Sequence, residues 1–267
     1  MGSEMCIRDR KEYILELLEK GKRMDGRNLD EYRNIKVERG VVEKAEGSAW
    51  VQLGETKVLA GVKMEIGTPF PDSPNDGILI VNAEFTPLAS PAFEPGPPGE
   101  DAIELARMID RVLREGKAID LSKLVITPGE KVWCVFIDID ILNHKGNLID
   151  ASCLASVAAL LDAKIPKVED DKIIRGEYER KLEVNFKPVI VSVCKVGEKY
   201  LVDPLEEEEE VIDCKLCIGV RDDDLICAIQ KQGKKSLRFE DIEKMVDIAI
   251  SKSKVLRRFL DGNQAYH

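Results

Sequence analysis

Three arginines, Arg107, Arg111 and Arg114, recur at i, i+4 and i+7 and so share one face of the helix that carries them. Guanidiniums held side by side can fork onto an external anion, phosphate above all. A second reading keeps this face solvated, with local pairs Glu104–Arg107, Asp110–Arg114 and Arg111–Glu115. The i,i+4 repulsion between Arg107 and Arg111 speaks against it, at roughly a few tenths of a kcal/mol. The turn Asn143-His144-Lys145-Gly146-Asn147 precedes a helix, where backbone N–H groups can bind phosphate. Asp150 would repel that anion and nothing nearby supplies a forked arginine, so His144 and Lys145 read as surface residues. The acidic run Glu206–Glu210, flanked by Asp203 and Asp213, could hold Mg2+ or supply a general acid. Runs of like charge more commonly form solvated loops, and Lys215 stands where a further metal ligand would be wanted. Cys214 and Cys217 form a lone C-x-x-C with no second pair or nearby histidine, which reads as plain strand. The chain has no P-loop, G-x-G-x-x-G, G-x-S-x-G or H-E-x-x-H, and its two histidines, His144 and His267, leave little for histidine catalysis.

The elements that must position these groups follow from periodicity. Tyr13, Ile14, Leu17 and Leu18 recur at helical spacing, and Gly21 ends that helix. Ala49–Leu53 and Lys57–Met64 read as strands joined by the tight turn Gly54-Glu55, and Ile78–Phe85 as a buried strand. The stiff segment Phe93–Gly99, rich in proline, leads into a helix over Asp101–Lys117 with acidic residues in its first turn, where the helix dipole favours them. Lys131–Leu142 alternates Trp133, Val135, Ile137, Ile139 and Ile141 against Asp138 and Asp140, as a strand does. Asp150 is expected to cap an Ala- and Leu-rich helix ending near Ala163. Lys164–Leu182 reads as a polar connector. Strands near Pro188–Val196, Tyr200–Val202, Lys215–Val220 and Leu225–Gln230 follow, then an amphipathic helix carrying Ile242, Met245, Val246 and Ala249. Strands followed by helices, twice over, predict an α+β fold of two related units.

Composition narrows the partners. The 267 residues carry 40 basic against 50 acidic side chains, a net −10, so nucleic acid can be held only at a local basic patch. Seven scattered cysteines without a secretory signal read as reduced thiols, which predicts a cytoplasmic protein. No run of about 18 apolar residues is present, so no membrane span is expected. Residues 1–10 lack any pattern and read as an artefact or a disordered leader.

Taken together, several segments resemble the RNase PH superfamily: Arg23-Met24-Asp25-Gly26-Arg27, Gly47-Ser48-Ala49, and Gly54 through Ala60. Phe93 through Pro98, Glu104-Leu105-Ala106-Arg107, Asp110-Arg111, Asp120-Leu121, Gly146 through Ala151 and Ala228-Ile229-Gln230-Lys231 are similar to one branch, the archaeal exosome subunits of the ribosomal RNA-processing protein 42 type. The resemblance covers about Lys11 to Leu260. It implies an RNase PH-like fold of two β-α subdomains, a ribosomal protein S5 domain 2-like core followed by a C-terminal RNase PH domain. The expected boundaries are 11–32 for an N-terminal helix and opening segment, 33–165 for domain 1, 166–184 for a connector, 185–260 for domain 2 and 261–267 for a tail.

The resemblance further implies a non-catalytic subunit. It would form a heterodimer with a catalytic RNase PH-like paralogue, three such pairs closing a hexameric ring, with RNA-binding cap subunits on one face and single-stranded RNA degraded 3′ to 5′ by phosphate. Active members carry a Gly-Gly-Thr/Ser-Arg phosphate loop where this chain reads Lys145, Gly146, Asn147 and Leu148. Their two aspartates six residues apart fall on Glu209 and Lys215. The resemblance therefore implies no catalytic residue, phosphate site or metal site in this chain, with phosphate and Mg2+ expected at the partner, and Arg107, Arg111 and Arg114 as RNA contacts. Two other readings stay open: a phosphorolytic 3′–5′ exoribonuclease active by itself, and a free RNA-binding module.

Overall fold

The structure is a computed structural model that describes residues 2–169 and 172–262. Helix α1 spans Gly2–Glu19 and takes in the backbone of the patternless leader; Met1, the side chains of residues 1–8, and residues 263–267 of the expected tail lie outside the described residues. The first unit follows with β1 (Ile35–Arg39), β2 (Gly47–Leu53), β3 (Thr56–Gly67), β4 (Ile78–Phe85), α2 (Glu100–Glu115), β5 (Val125–Thr127), β6 (Lys131–Asn143) and α3 (Leu148–Asp162). A hairpin, β7 (Lys164–Glu169) and β8 (Lys172–Lys181), leads to the second unit. That unit comprises β9 (Val189–Val196), β10 (Lys199–Val202), the single turn α4 (Glu206–Glu209), β11 (Cys214–Val220), β12 (Ile226–Gly233) and α5 (Phe239–Leu260).

The first sheet runs β1-β2-β3-β6-β4, with β4 parallel to β6, the other pairs antiparallel and short β5 paired to β6. The expected alternation on β6 holds: Val135, Ile137, Ile139 and Ile141 are buried and Asp138 faces out. The second sheet runs β10-β9-β11-β12. Helix α3 lies between the two sheets, against β2 and β3 on one side and β9 on the other. Its residues from Leu148 to Leu160 are therefore all buried, as a helix apolar on every side requires. Gly47 permits the closest of these contacts, because a Cβ there would lie 2.5 Å from the carbonyl of Ala159. Helix α5 covers the other face of β9 and β11, which leaves every residue of β9 buried.

The two-residue turn Gly54-Glu55 joins β2 to β3 as expected, with Gly54 at φ +59. The C-x-x-C pair begins β11 as plain strand. Two expectations about the connecting segments fail. The connector at Lys164–Leu182 is a two-stranded ribbon whose β8 side chains are mostly exposed, so backbone pairing forms it without an apolar alternation to betray it. The acidic run is not a loop: four of its glutamates make α4, and Glu208 is fully buried. No helix among the described residues is long and apolar enough to cross a membrane.

Candidate functional site

Helix α2 leaves the proline segment at Gly99 without a side-chain cap, so Glu100 and Asp101 stand at its positive end. Its apolar face, including Leu105, Met108, Ile109, Val112 and Leu113, is buried, and the helix lies against β4 of the first sheet and β12 of the second. That placement decides the arginines. Gln230 and Gln232 on β12 donate to Glu104 Oε1 at 2.6 and 2.8 Å, drawing this carboxylate away from Arg107. Arg111 donates to Gln230 Oε1 at 3.3 Å rather than to Glu115. Only the Asp110–Arg114 pair forms as expected, at 2.7 Å, and Arg114 also donates to the Leu79 carbonyl at 3.0 Å. Arg107 has no side-chain hydrogen bond or ion pair among the described residues. Arg107 and Arg111, both exposed, therefore line a depression of about 400 Å³ with Glu100, Ile103, Glu104 and Gln230, while Arg114 is spent on β4 and its own helix.

Beyond Glu104 lies a pocket of about 260 Å³ between the units, lined among others by Phe85, Phe93, Asp101, His144, Glu209 and Lys215. His144 is half-buried rather than a free surface side chain: its ring stacks on Phe93 at 5.6 Å, and its Nδ1 accepts from the Gly146 N–H at 3.3 Å. Helix α3 begins at Leu148, two residues earlier than the expected cap. Asn147 occupies the cap position in the left-handed conformation at φ 56, and its side chain makes no cap bond. Gly146, at φ +89, allows the close approach of the 204–206 backbone, since a Cβ there would lie 2.4 Å from the Pro204 carbonyl. The Asn147 N–H donates to Glu209 Oε1 at 3.2 Å, and Lys215 Nζ reaches the same oxygen at 3.5 Å. The backbone donor at the helix start is thus already occupied by a carboxylate of the chain itself.

An arginine does lie beside this turn, from a distance the sequence hid. Arg33 donates to the carbonyls of Lys145 and Gly146 at 2.6 and 3.1 Å, and its remaining capacity goes to Asp203. Asp203 also receives Arg27 Nη1 at 2.9 Å and Asn147 Nδ2 at 3.0 Å. Burial pushes its carboxyl up, but Arg33 and then Arg27 outweigh that and hold it below the usual carboxylate range. Arg23 pairs with fully buried Glu208 through Nε at 3.0 Å, and its Nη atoms serve the carbonyls of Val202 and Asp203 at 2.9 and 2.7 Å. The motif Arg23-Met24-Asp25-Gly26-Arg27 is thus a clamp fastening the opening segment to α4 and the end of β10.

Asp150, expected as a cap, points into the core instead. It accepts from Tyr32 Oη at 2.7 Å, Asn147 Nδ2 at 3.0 Å and the Ser192 N–H at 2.9 Å. Burial is the largest influence on it and raises its pKa from 3.8 to about 6, against the lowering effect of these donors. Between those two values the folded chain holds the proton more readily than the unfolded one. The stability this group contributes is complete below about pH 4 and is lost as pH rises through about 6. Wild type should therefore lose on the order of 2–3 kcal/mol relative to Asp150→Asn between those limits. Urea unfolding of both proteins at pH 4.5 and 7 measures this, and a pH-independent difference would contradict it.

Two β-sheets sandwiching an apolar helix, with a cleft between the units where a helix start meets an acidic turn, define the class: a duplicated α+β scaffold of the RNase PH type. Residues 31–166 match domain 1 of the 3′ exoribonuclease family, RNase PH, and residues 188–252 match its domain 2. The chain belongs to that family. It is 49% identical over 258 residues to the exosome complex component Rrp42 of Thermococcus gammatolerans, covering 95% of this chain and 93% of that protein. A chain of the Archaeoglobus fulgidus exosome with RNA bound to the active site superposes with a TM-score of 0.90 at 48% identity, covering 95% of this chain and 98% of that one. A chain of an archaeal exosome core does so at 0.87 and 44% identity, covering 98% and 100%.

Proposed function

We propose that this chain is the non-catalytic RNase PH-like subunit of an exosome ring in the cytoplasm. It pairs with a catalytic paralogue, three such pairs closing a hexamer beneath RNA-binding caps. The observation that carries the non-catalytic reading is the Glu209 carboxylate seated on the Asn147 N–H with Lys215 beside it. A phosphate nucleophile would meet a fixed negative charge there. Burial works to lower the Lys215 pKa, but the acidic groups around it, Glu209 foremost, together outweigh it and keep the group cationic, so it can neither ligate Mg2+ nor donate a proton readily at neutral pH. Phosphate and Mg2+ accordingly belong to the partner's site. This chain supplies Arg107 and Arg111, which hold single-stranded RNA by its phosphates while the partner removes nucleotides from the 3′ end.

The purified chain, given phosphate, Mg2+ and polyadenylate, should release no nucleoside diphosphate. Lys215→Asp should stay equally silent, because the arginine and hydroxyl of the phosphate loop are missing as well. Phosphorolysis by either protein, abolished by Glu209→Gln, would establish the self-sufficient enzyme instead.

A further inference from the structure

Glu104 stands three residues before Arg107 and seven before Arg111, so all three share one face of α2. On an isolated helix that carboxylate would fold onto Arg107 and take up its forked donors. Strand β12 prevents this. Side chains two apart point to the same side of a strand, and Gln230 and Gln232 both face α2. Their Nε2 groups converge on one oxygen, Glu104 Oε1, at 2.6 and 2.8 Å. The Gln230 amide is oriented from its other end, because its Oε1 accepts from Arg111 Nη1 at 3.3 Å. Turned over, it would set its NH2 against a guanidinium and its carbonyl against a carboxylate. Gln230 thus stands between Glu104 and Arg111, while Gln232 draws Glu104 towards the pocket that holds Glu209 and Lys215. Glu104 lines both hollows and forms the wall between them. An amide satisfies a carboxylate oxygen without consuming a cation, so Glu104 is met and Arg107 keeps its donors for an external phosphate.

We propose that Gln230 and Gln232 are positioning residues for RNA: by holding Glu104 off Arg107, they keep the guanidinium pair open to the phosphates of the strand. The proposal rests on the reading of Arg107 and Arg111 as the RNA grip, and it gives the second unit a part in a contact made by the first. What the glutamines preserve is a set of donors rather than a net charge, since the carboxylate stays within the patch.

The test is a double-mutant cycle on the assembly reconstituted with the catalytic paralogue, read as affinity for polyadenylate by filter binding. Gln230→Met with Gln232→Met keeps the side-chain length and removes the donors. It should release Glu104 onto Arg107 and weaken binding about tenfold, the worth of one charge-assisted contact. Glu104→Gln should then strengthen binding about tenfold more in the methionine background than in the wild-type one. Equal gains in the two backgrounds would show a general effect of charge and overturn the proposal, as would a methionine variant that binds RNA like wild type. Should the doubly substituted protein not fold, Gln232→Met alone should weaken binding about threefold, with the same dependence on Glu104. A single variant without that dependence would overturn the proposal equally. If Arg107→Glu with Arg111→Glu lowers the affinity and the methionine pair does not, this proposal alone fails; if neither does, the RNA reading itself fails.

Discussion

Reversing both exposed arginines, Arg107→Glu with Arg111→Glu, is expected to weaken RNA binding by the reconstituted assembly about a hundredfold while leaving the pairing with the catalytic paralogue intact. The magnitude follows from two charge-assisted contacts, each worth at least about 1.5 kcal/mol once enclosed beside RNA. Their sum of about 3 kcal/mol corresponds to about two decades in affinity. The fold should tolerate the change. Both side chains are exposed, Arg107 has no protein partner among the described residues, and Arg111 would give up only a 3.3 Å bond to Gln230. Because the contacts are to phosphates, the loss should be the same for polyadenylate and polyuridylate and should shrink as salt is raised. Arg114→Glu is the control: it breaks the pair with Asp110 and the bond to Leu79, so it should cost stability more than RNA affinity. Filter binding and size-exclusion of the three assemblies separate these outcomes. Unchanged affinity in the double variant would remove the arginine pair from the account.

The second large effect concerns stability. Arg23→Ala should destabilise the chain by about 3–5 kcal/mol, because it leaves the Glu208 carboxylate buried and unpaired. It also strips the carbonyls of Val202 and Asp203 of their donors, in the stretch that carries Asp203 into the network behind the Asn147 turn. A fall in Tm on the order of 10 °C is expected. Arg23→Met combined with Glu208→Leu should recover much of it, since replacing a whole buried pair by apolar groups is often neutral. A loss within about 1 kcal/mol for Arg23→Ala alone would show that the clamp is not what fastens the opening segment. Calorimetry of the three proteins decides it.

What could be read in advance depended on how local the physics was. The alternation on β6, the Gly54-Glu55 turn and the helical spacing of the arginines each lie within one element, and the structure keeps them. The strand β1 was missed because only Ile35 and Val37 mark it, and the β7–β8 ribbon because its exposed side chains carry no alternation. The site was half legible. The resemblance in the sequence pointed to Asn147, Glu209 and Lys215 as departures from an active pattern; that Glu209 sits on the Asn147 N–H was not visible there, because the contact joins residues 62 apart. Likewise, Glu104 looked like a partner for Arg107 within the helix. Two glutamines from β12, 126 and 128 residues further on, took it instead and left Arg107 without a partner among the described residues. Asp150 misled for a related reason. Its type and position suit a cap, but the helix lies between two sheets, and a carboxylate there is satisfied by Tyr32 and Ser192 across the core.

The most direct measurement combines this chain with a catalytic paralogue whose own general acid has been removed, and follows nucleoside diphosphate release from polyadenylate in phosphate and Mg2+. The assembled complex should bind RNA as tightly as the active one and release nothing above the no-enzyme background. Sustained phosphorolysis by that complex would place chemistry in this chain and contradict the assignment.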